Sequence, residues 1–133
     1  MELVTVGVVE SPLRDRADAP RQGDEGAPEA WLAFDARYAD ALDGVGTGDD
    51  LILLTWLDRG DRSVLRVRPR DDASRPEQGV FTTRSSDRPN PIGLHRVTVL
   101  EIDGLRLRVG PLEAIDGTPV VDVKPVLGGI GER

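Results

Sequence analysis

The chain has no cysteine, a single histidine and a single methionine, and aromatic residues make up only 4% of its 133 positions. Without cysteine there are no disulfides, thiolate metal sites or cysteine nucleophiles. His95 cannot build a histidine-based metal site alone, and no motif supports a site made of carboxylates, so no bound metal is expected. No apolar run approaches the roughly 20 residues of a membrane span. The start, MELVTVGVVESP, lacks the basic residues of a secretion signal and reads as a strand, so a cytoplasmic protein is expected. No fixed-period repeat is visible. The length suits one domain over residues 1–133, large enough to bury roughly two-thirds of its unfolded surface.

The net charge is −7, with a pI near 4.7, which argues against non-specific polyanion binding over the whole surface. The charge is uneven, however. Residues 79–98 hold three arginines and one aspartate, a local +2 that leaves −9 for the remainder. A small cationic pocket on an acidic body suits a compact anionic ligand, with a short RNA loop as another candidate.

Residues 3–9 (LVTVGVV) predict a first strand, ended by Ser11-Pro12. A long loop follows over 11–29, the kind that is usually either functional or disordered. AWLAF at 30–34 predicts a short strand, and 35–43 a short helix with Asp35 as N-cap and Gly44 beyond its end. LILLTWL at 51–57 is apolar enough for a central strand, with SVLRV at 63–67 as its hairpin partner. Trp31 and Trp56 lie in these apolar runs and are assigned to the core. Asp103-Gly104 joins VTVLEI (97–102) to LRLRV (105–109) as a hairpin, and VVDV at 120–123 predicts a last strand. Strands do not alternate with helices, which disfavours a doubly wound sheet. The expected fold is mainly β: a mostly antiparallel sheet closed into a small barrel, with one short helix and long loops.

The densest chemistry lies in TTRSSDRPNPIGLHRV, residues 82–97. Proline fixes φ and pushes the preceding residue toward extended geometry, so Arg88-Pro89-Asn90-Pro91 is stiff before any ligand arrives. Gly93 permits close backbone approach. Arginine forks suit carboxylates and phosphates. The same residues also suit a structural loop whose arginines pair with the many acidic side chains. Asp116-Gly117-Thr118-Pro119 reads first as a turn, and Lys124 near Asp122 as a surface pair. Pro20-Arg21-Gln22 gains meaning only if its loop folds onto a site. His95 reads as a structural or surface histidine. Gly128-Gly129-Ile130-Gly131 lacks the strand-then-helix setting of a nucleotide-binding fingerprint.

Taken in order, GVFTTRSSDRPNPIGLHRV, a DG hairpin and DGTPVVDVKP resemble the TsaA/TrmO-like family of S-adenosylmethionine-dependent methyltransferases, whose pattern is close to GVFATRSPxRPNPIGLS followed by DGTPVLDIKPY. VGVVESP and PRQ also look like the family's opening, so the resemblance covers nearly the whole chain. It implies a single-sheeted β-barrel working as a homodimer, without the additional carboxyl-terminal domain of some members. The implied cofactor is S-adenosylmethionine. The implied activity is N6-methylation of threonylcarbamoyladenosine beside the tRNA anticodon.

Carried over residue by residue, the implied cofactor contacts are Pro20, Arg21, Gln22, Asp50, Arg84, Leu94, Asp116, Gly117, Thr118 and Pro119. Arg88, Asn90 and Lys124 are candidate acceptor contacts, and Asp116 is the candidate proton acceptor by position. Departures from the pattern are Gly48-Asp49-Asp50 in place of Phe-Ser-His, Arg84-Ser85-Ser86 in place of RSP, and KPV in place of KPY. Two other readings stand beside the tRNA enzyme: a methyltransferase for a small metabolite, and a non-catalytic module binding a nucleoside-like ligand.

Overall fold

Alternation of buried and outward side chains organises most strands of the computed structural model, which describes residues 1–17, 19–20, 26–69 and 72–128. The strands are β1 (Gly7–Glu10), β2 (Ala30–Phe34), β3 (Asp50–Trp56), β4 (Arg66–Val67), β5 (Gln78–Gly79), β6 (Ile92–Asp103), β7 (Arg106–Gly110) and β8 (Pro119–Pro125). Six of them close on themselves in the order β1-β2-β7-β6-β3-β8, with every pair antiparallel. Closure leaves the barrel without an unpaired edge. β4 and β5 form a separate two-stranded ribbon. The expected single-sheeted antiparallel barrel is therefore the observed fold.

Inward positions at two-residue spacing fill the lumen: Leu32 on β2, Leu51 and Leu53 on β3, Val97 and Val99 on β6, and Leu107 and Val109 on β7. Leu112 and Ala114, from the connection after β7, join this cluster. β6 spans 12 residues because its first half pairs with β3 and its second half with β7, with a register shift between Val99 and Glu101. An extra residue at such a point bends a strand and raises its twist, as a closing sheet requires.

Several elements differ from the sequence reading. The first strand begins at Gly7, not Leu3, because its partners Phe34 and Val120 start there; Leu3 and Val4 are exposed. The helix is a 3-10 helix, Ala36–Leu42, kinked at Tyr38. Asp35 caps it as expected, its carboxylate accepting from the Arg37 amide at 2.8 Å. Seven residues with no buried side chain supply too little packing to offset α-helix nucleation. Residues 63–67 do not pair with β3, whose two sides are taken by β6 and β8; only Arg66–Val67 enters a strand, against β5. Both tryptophans lie half-buried rather than in the core. Arg106 stacks over Trp31 at 4.5 Å and Arg62 over Trp56 at 5.2 Å, so guanidinium planes cover each ring. No described helix is long and apolar enough to cross a membrane.

Candidate active site

The loop after β1 is strapped across the barrel by two arginines. Arg16 donates to the Arg59 carbonyl (2.9 Å), the Ser86 hydroxyl (2.9 Å) and Asp87 (3.1 Å), and Arg59 donates back to the Arg14 carbonyl (3.2 Å). This tie brings Arg16, Ala17, Ala19 and Pro20 over the segment 82–97. Asp87 also accepts the Asp61 amide at 2.8 Å, which holds the turn after β3 to the same place. Gly60 sits there without room for a side chain, since a Cβ would collide with the Ser86 carbonyl oxygen. Between these segments lies a cavity of about 1570 Å³.

Of the expected site residues, Pro20, Asp50, Arg84, Arg88, Leu94 and Thr118 line this cavity. Asn90, Asp116, Gly117, Pro119 and Lys124 are not among its described lining residues. Arg21 and Gln22 lie outside the described residues. Seven arginines face four carboxylates in the described lining, so the cavity is locally cationic on a chain of net charge −7. That local charge favours negatively charged groups on a ligand.

The individual side chains differ in how free they are. Arg84 is exposed and makes no hydrogen bond or ion pair with another described residue, leaving its fork available. Arg88 spends its fork on its own loop, donating to the carbonyls of Val80 (2.9 Å), Thr83 (2.9 Å) and Ser85 (3.0 Å). It sets the shape of the turn that presents Arg84. Asn90 accepts from Arg62 at 3.0 Å, and Arg62 also donates to the Pro89 carbonyl at 2.7 Å. Lys124 pairs with Asp122 at 3.1 Å on the surface. Leu94 and Ile92 point outward from β6 and expose apolar surface to the cavity.

Asp116-Gly117-Thr118-Pro119 forms the turn that feeds β8. The Thr118 hydroxyl donates to the Ile115 carbonyl (2.7 Å), and the Gly117 amide to the Val9 carbonyl (2.8 Å). The Asp116 carboxylate accepts the Ser11 amide at 3.0 Å and pairs with Arg14 at 3.5 Å, in a smaller groove beside Trp31. Its position thus differs from that of a base aimed into the main cavity.

Asp50 accepts the Thr98 hydroxyl at 2.6 Å and pairs with Arg96 at 3.4 Å. The Thr98 hydrogen bond, followed by Arg96, holds its carboxyl below the ordinary value of 3.8. A lowered folded value contributes stability that is complete above the unfolded value and is lost as pH falls through the folded one. The stability difference between wild type and Asp50→Asn is therefore expected to be constant from neutral pH down to about 5 and to shrink below 3.8. Denaturation midpoints across that range test it, and a difference that shrinks already between pH 7 and 5 would contradict it.

His95, read from the sequence as either structural or at the surface, is structural. His95 is 5% exposed; its Nε2 lies 2.7 Å from Thr55 Oγ1 and its Nδ1 2.5 Å from Glu113 Oε1. The signal was available: Gly93, His95, Val97 and Val99 share the inward phase of β6, visible once the strand is begun at Ile92 instead of Val97. Glu113, in the irregular connection after β7, carried no signal at all. Gly93 has its own place in this group. A Cβ there would collide with Thr55 Oγ1 and lie 2.7 Å from His95 Nε2, so the close approach it permits is to these side chains.

The model of the tRNA-methyltransferase O N-terminal domain family matches residues 8–130. The "S-adenosyl-L-methionine-binding protein" of Archaeoglobus fulgidus is 45% identical over 93% of this chain and 88% of its own length. The "tRNA (adenine(37)-N6)-methyltransferase" of Escherichia coli is 38% identical over 92% of this chain and 56% of its own. A crystal structure of TrmO from Pseudomonas aeruginosa superposes with a TM-score of 0.75 at 25% identity, covering 96% of this chain and 56% of that one. The chain thus spans a little over half the length of the solved structure and of the E. coli relative. With the family model covering nearly all of it, the chain belongs to the tRNA-methyltransferase O N-terminal domain family.

Proposed function

We propose that this protein binds S-adenosylmethionine in the arginine-lined cavity and transfers its methyl group to N6 of threonylcarbamoyladenosine beside the tRNA anticodon. The observation that carries the reading is the cavity itself, which gathers Pro20, Asp50, Arg84, Leu94 and Thr118 from four separate segments of a chain in this family. Its volume exceeds the roughly 300–1,000 Å³ of ordinary small-molecule pockets, enough for the methyl donor and an acceptor base together. The donor fits the residues present. Arg84 has an unengaged guanidinium for a carboxylate, and exposed Leu94 and Ile92 give an apolar wall for a purine. When bound, the donor supplies an activated methyl group on a sulfonium, and the protein's task is alignment of the acceptor.

The cationic lining favours a polyanionic acceptor over a neutral metabolite. Apolar exposure at Ile92 and Leu94 on the cavity, and at Phe81 next to its lining residue Thr82, supports a second copy of the chain covering part of it, and a homodimer belongs to the same proposal. The names of several relatives speak of binding the donor and not of transfer, so a ligand-binding module is the second reading.

Calorimetric titration with S-adenosylmethionine and S-adenosylhomocysteine tests the first step. Binding by the wild type, weakened at least about tenfold in Arg84→Ala, is expected, equivalent to about 1.4 kcal/mol or more. No binding of either compound to folded wild type would overturn the site. Methylation of tRNA bearing threonylcarbamoyladenosine separates the two readings, since the binding module transfers nothing.

A further inference from the structure

We infer that Glu113, seated by His95, is the group that takes the proton from the acceptor nitrogen during methyl transfer, a role that rests on the proposed function above. Four carboxylates line the cavity among the described residues, and three are unsuited to the task. Asp50 is held by Thr98 and by the Arg96 guanidinium, which favour its charged form. Asp87 is occupied by Arg16 and by the Asp61 amide. Asp58 is exposed to solvent. Glu113 differs from all three: its side chain is 15% exposed, and its one ion-pair partner among the described residues is a histidine rather than an arginine.

The hydrogen bonds behind Glu113 can be assigned from donor and acceptor capacity. The Thr55 hydroxyl and His95 are buried, and no buried polar side-chain atom is left unsatisfied among the described residues. With Glu113 ionised, His95 Nδ1–H donates to Oε1, and the Nε2 lone pair accepts the Thr55 hydroxyl proton. His95 is then held from both sides, by Thr55 at Nε2 and by Glu113 at Nδ1. It acts as a positioning residue, holding the carboxylate by Oε1. Oε2 has no hydrogen-bond partner among the described residues and is left to take the acceptor's proton.

The chemistry balances on the residues and substrates already named. The acceptor nitrogen forms a bond to the methyl carbon as the carbon–sulfur bond breaks, and that electron pair stays on sulfur to give the neutral thioether. The proton on nitrogen passes to the Glu113 carboxylate, which becomes the neutral acid and releases it to solvent afterwards. Nothing is oxidised or reduced.

His95 is the only histidine in the chain, so selective nitrogen-15 histidine labelling of untagged protein reports this ring alone. The Nδ1–H tautomer is expected in wild type and in Glu113→Gln, whose amide oxygen still accepts, and it is expected to be lost in Glu113→Ala. In methyl transfer to the modified tRNA, Glu113→Gln should lower kcat about 100-fold or more, the usual scale of a general base, with the KM for each substrate within threefold. A change of less than threefold in kcat, or an Nε2–H tautomer in wild type, would overturn the assignment. So would a 100-fold loss in Asp116→Asn that Glu113→Gln does not share. A wild type that binds the donor but methylates nothing would instead overturn the proposed function, and this inference with it. Binding of the donor, measured calorimetrically in each variant, keeps the two failures apart.

Discussion

Gly93→Ala is expected to destabilise the fold by about 2–6 kcal/mol, measured by chemical denaturation. The estimate joins over-packing of a well-filled interior, about 1–3 kcal/mol, to damage to a buried hydrogen bond, about 1–3 kcal/mol. The added methyl would collide with Thr55 Oγ1 and crowd His95 Nε2, the two atoms that bond each other at 2.7 Å. Neither can yield easily. Thr55 is fully buried on β3 directly opposite Gly93 on β6, and His95 is tied on its other side to Glu113. The same variant should release the His95 tautomer from its fixed form. A loss below about 0.5 kcal/mol would show that the pair rearranges at little cost and is not rigid.

Leu53→Ala tests the opposite error, an atom group removed. Leu53 is 0% exposed at the middle of β3, paired with His95 on β6 and Val123 on β8, and belongs to the central cluster. Truncation of such a leucine costs about 2–5 kcal/mol, made up of lost transfer energy and the cavity left behind. A closed barrel has strands on both sides of β3 bound by ladders, so the wall cannot collapse inward to fill the space. The expected loss is a large share of the roughly 5–15 kcal/mol that holds a domain together. Retention of wild-type stability to within 1 kcal/mol would show that the lumen relaxes more than its ladder bonding suggests.

Arg88 and Asn90 illustrate how residue type and residue role can separate. Both sit in the stiff arginine–proline segment and looked like ligand contacts. Arg88 instead ties three carbonyls of its own turn, and Asn90 is held by Arg62. The rigidity of the segment was legible from its prolines, but which guanidinium remained unengaged was not. Arg84 is the one left open, because its neighbours in the turn are held by Arg88 and none of the described carboxylates reaches it. Asp116 follows the same pattern, since its turn was legible and its partners, Ser11 and Arg14, were not.

The sequence by itself determined the class of fold and the place of most strands, because burial alternates at a two-residue period wherever one face meets the lumen. It also determined the hairpin at Asp103-Gly104 and the cap at Asp35, since both depend on neighbours a few residues away. Only the tertiary structure decided what β3 pairs with, which carboxylates enter the cavity, and that the lone histidine is buried between Thr55 and Glu113. Those contacts join residues 18 and 40 positions apart, across strands whose order follows from barrel closure. No local pattern encodes them, because the energy that selects them comes from packing the whole lumen at once.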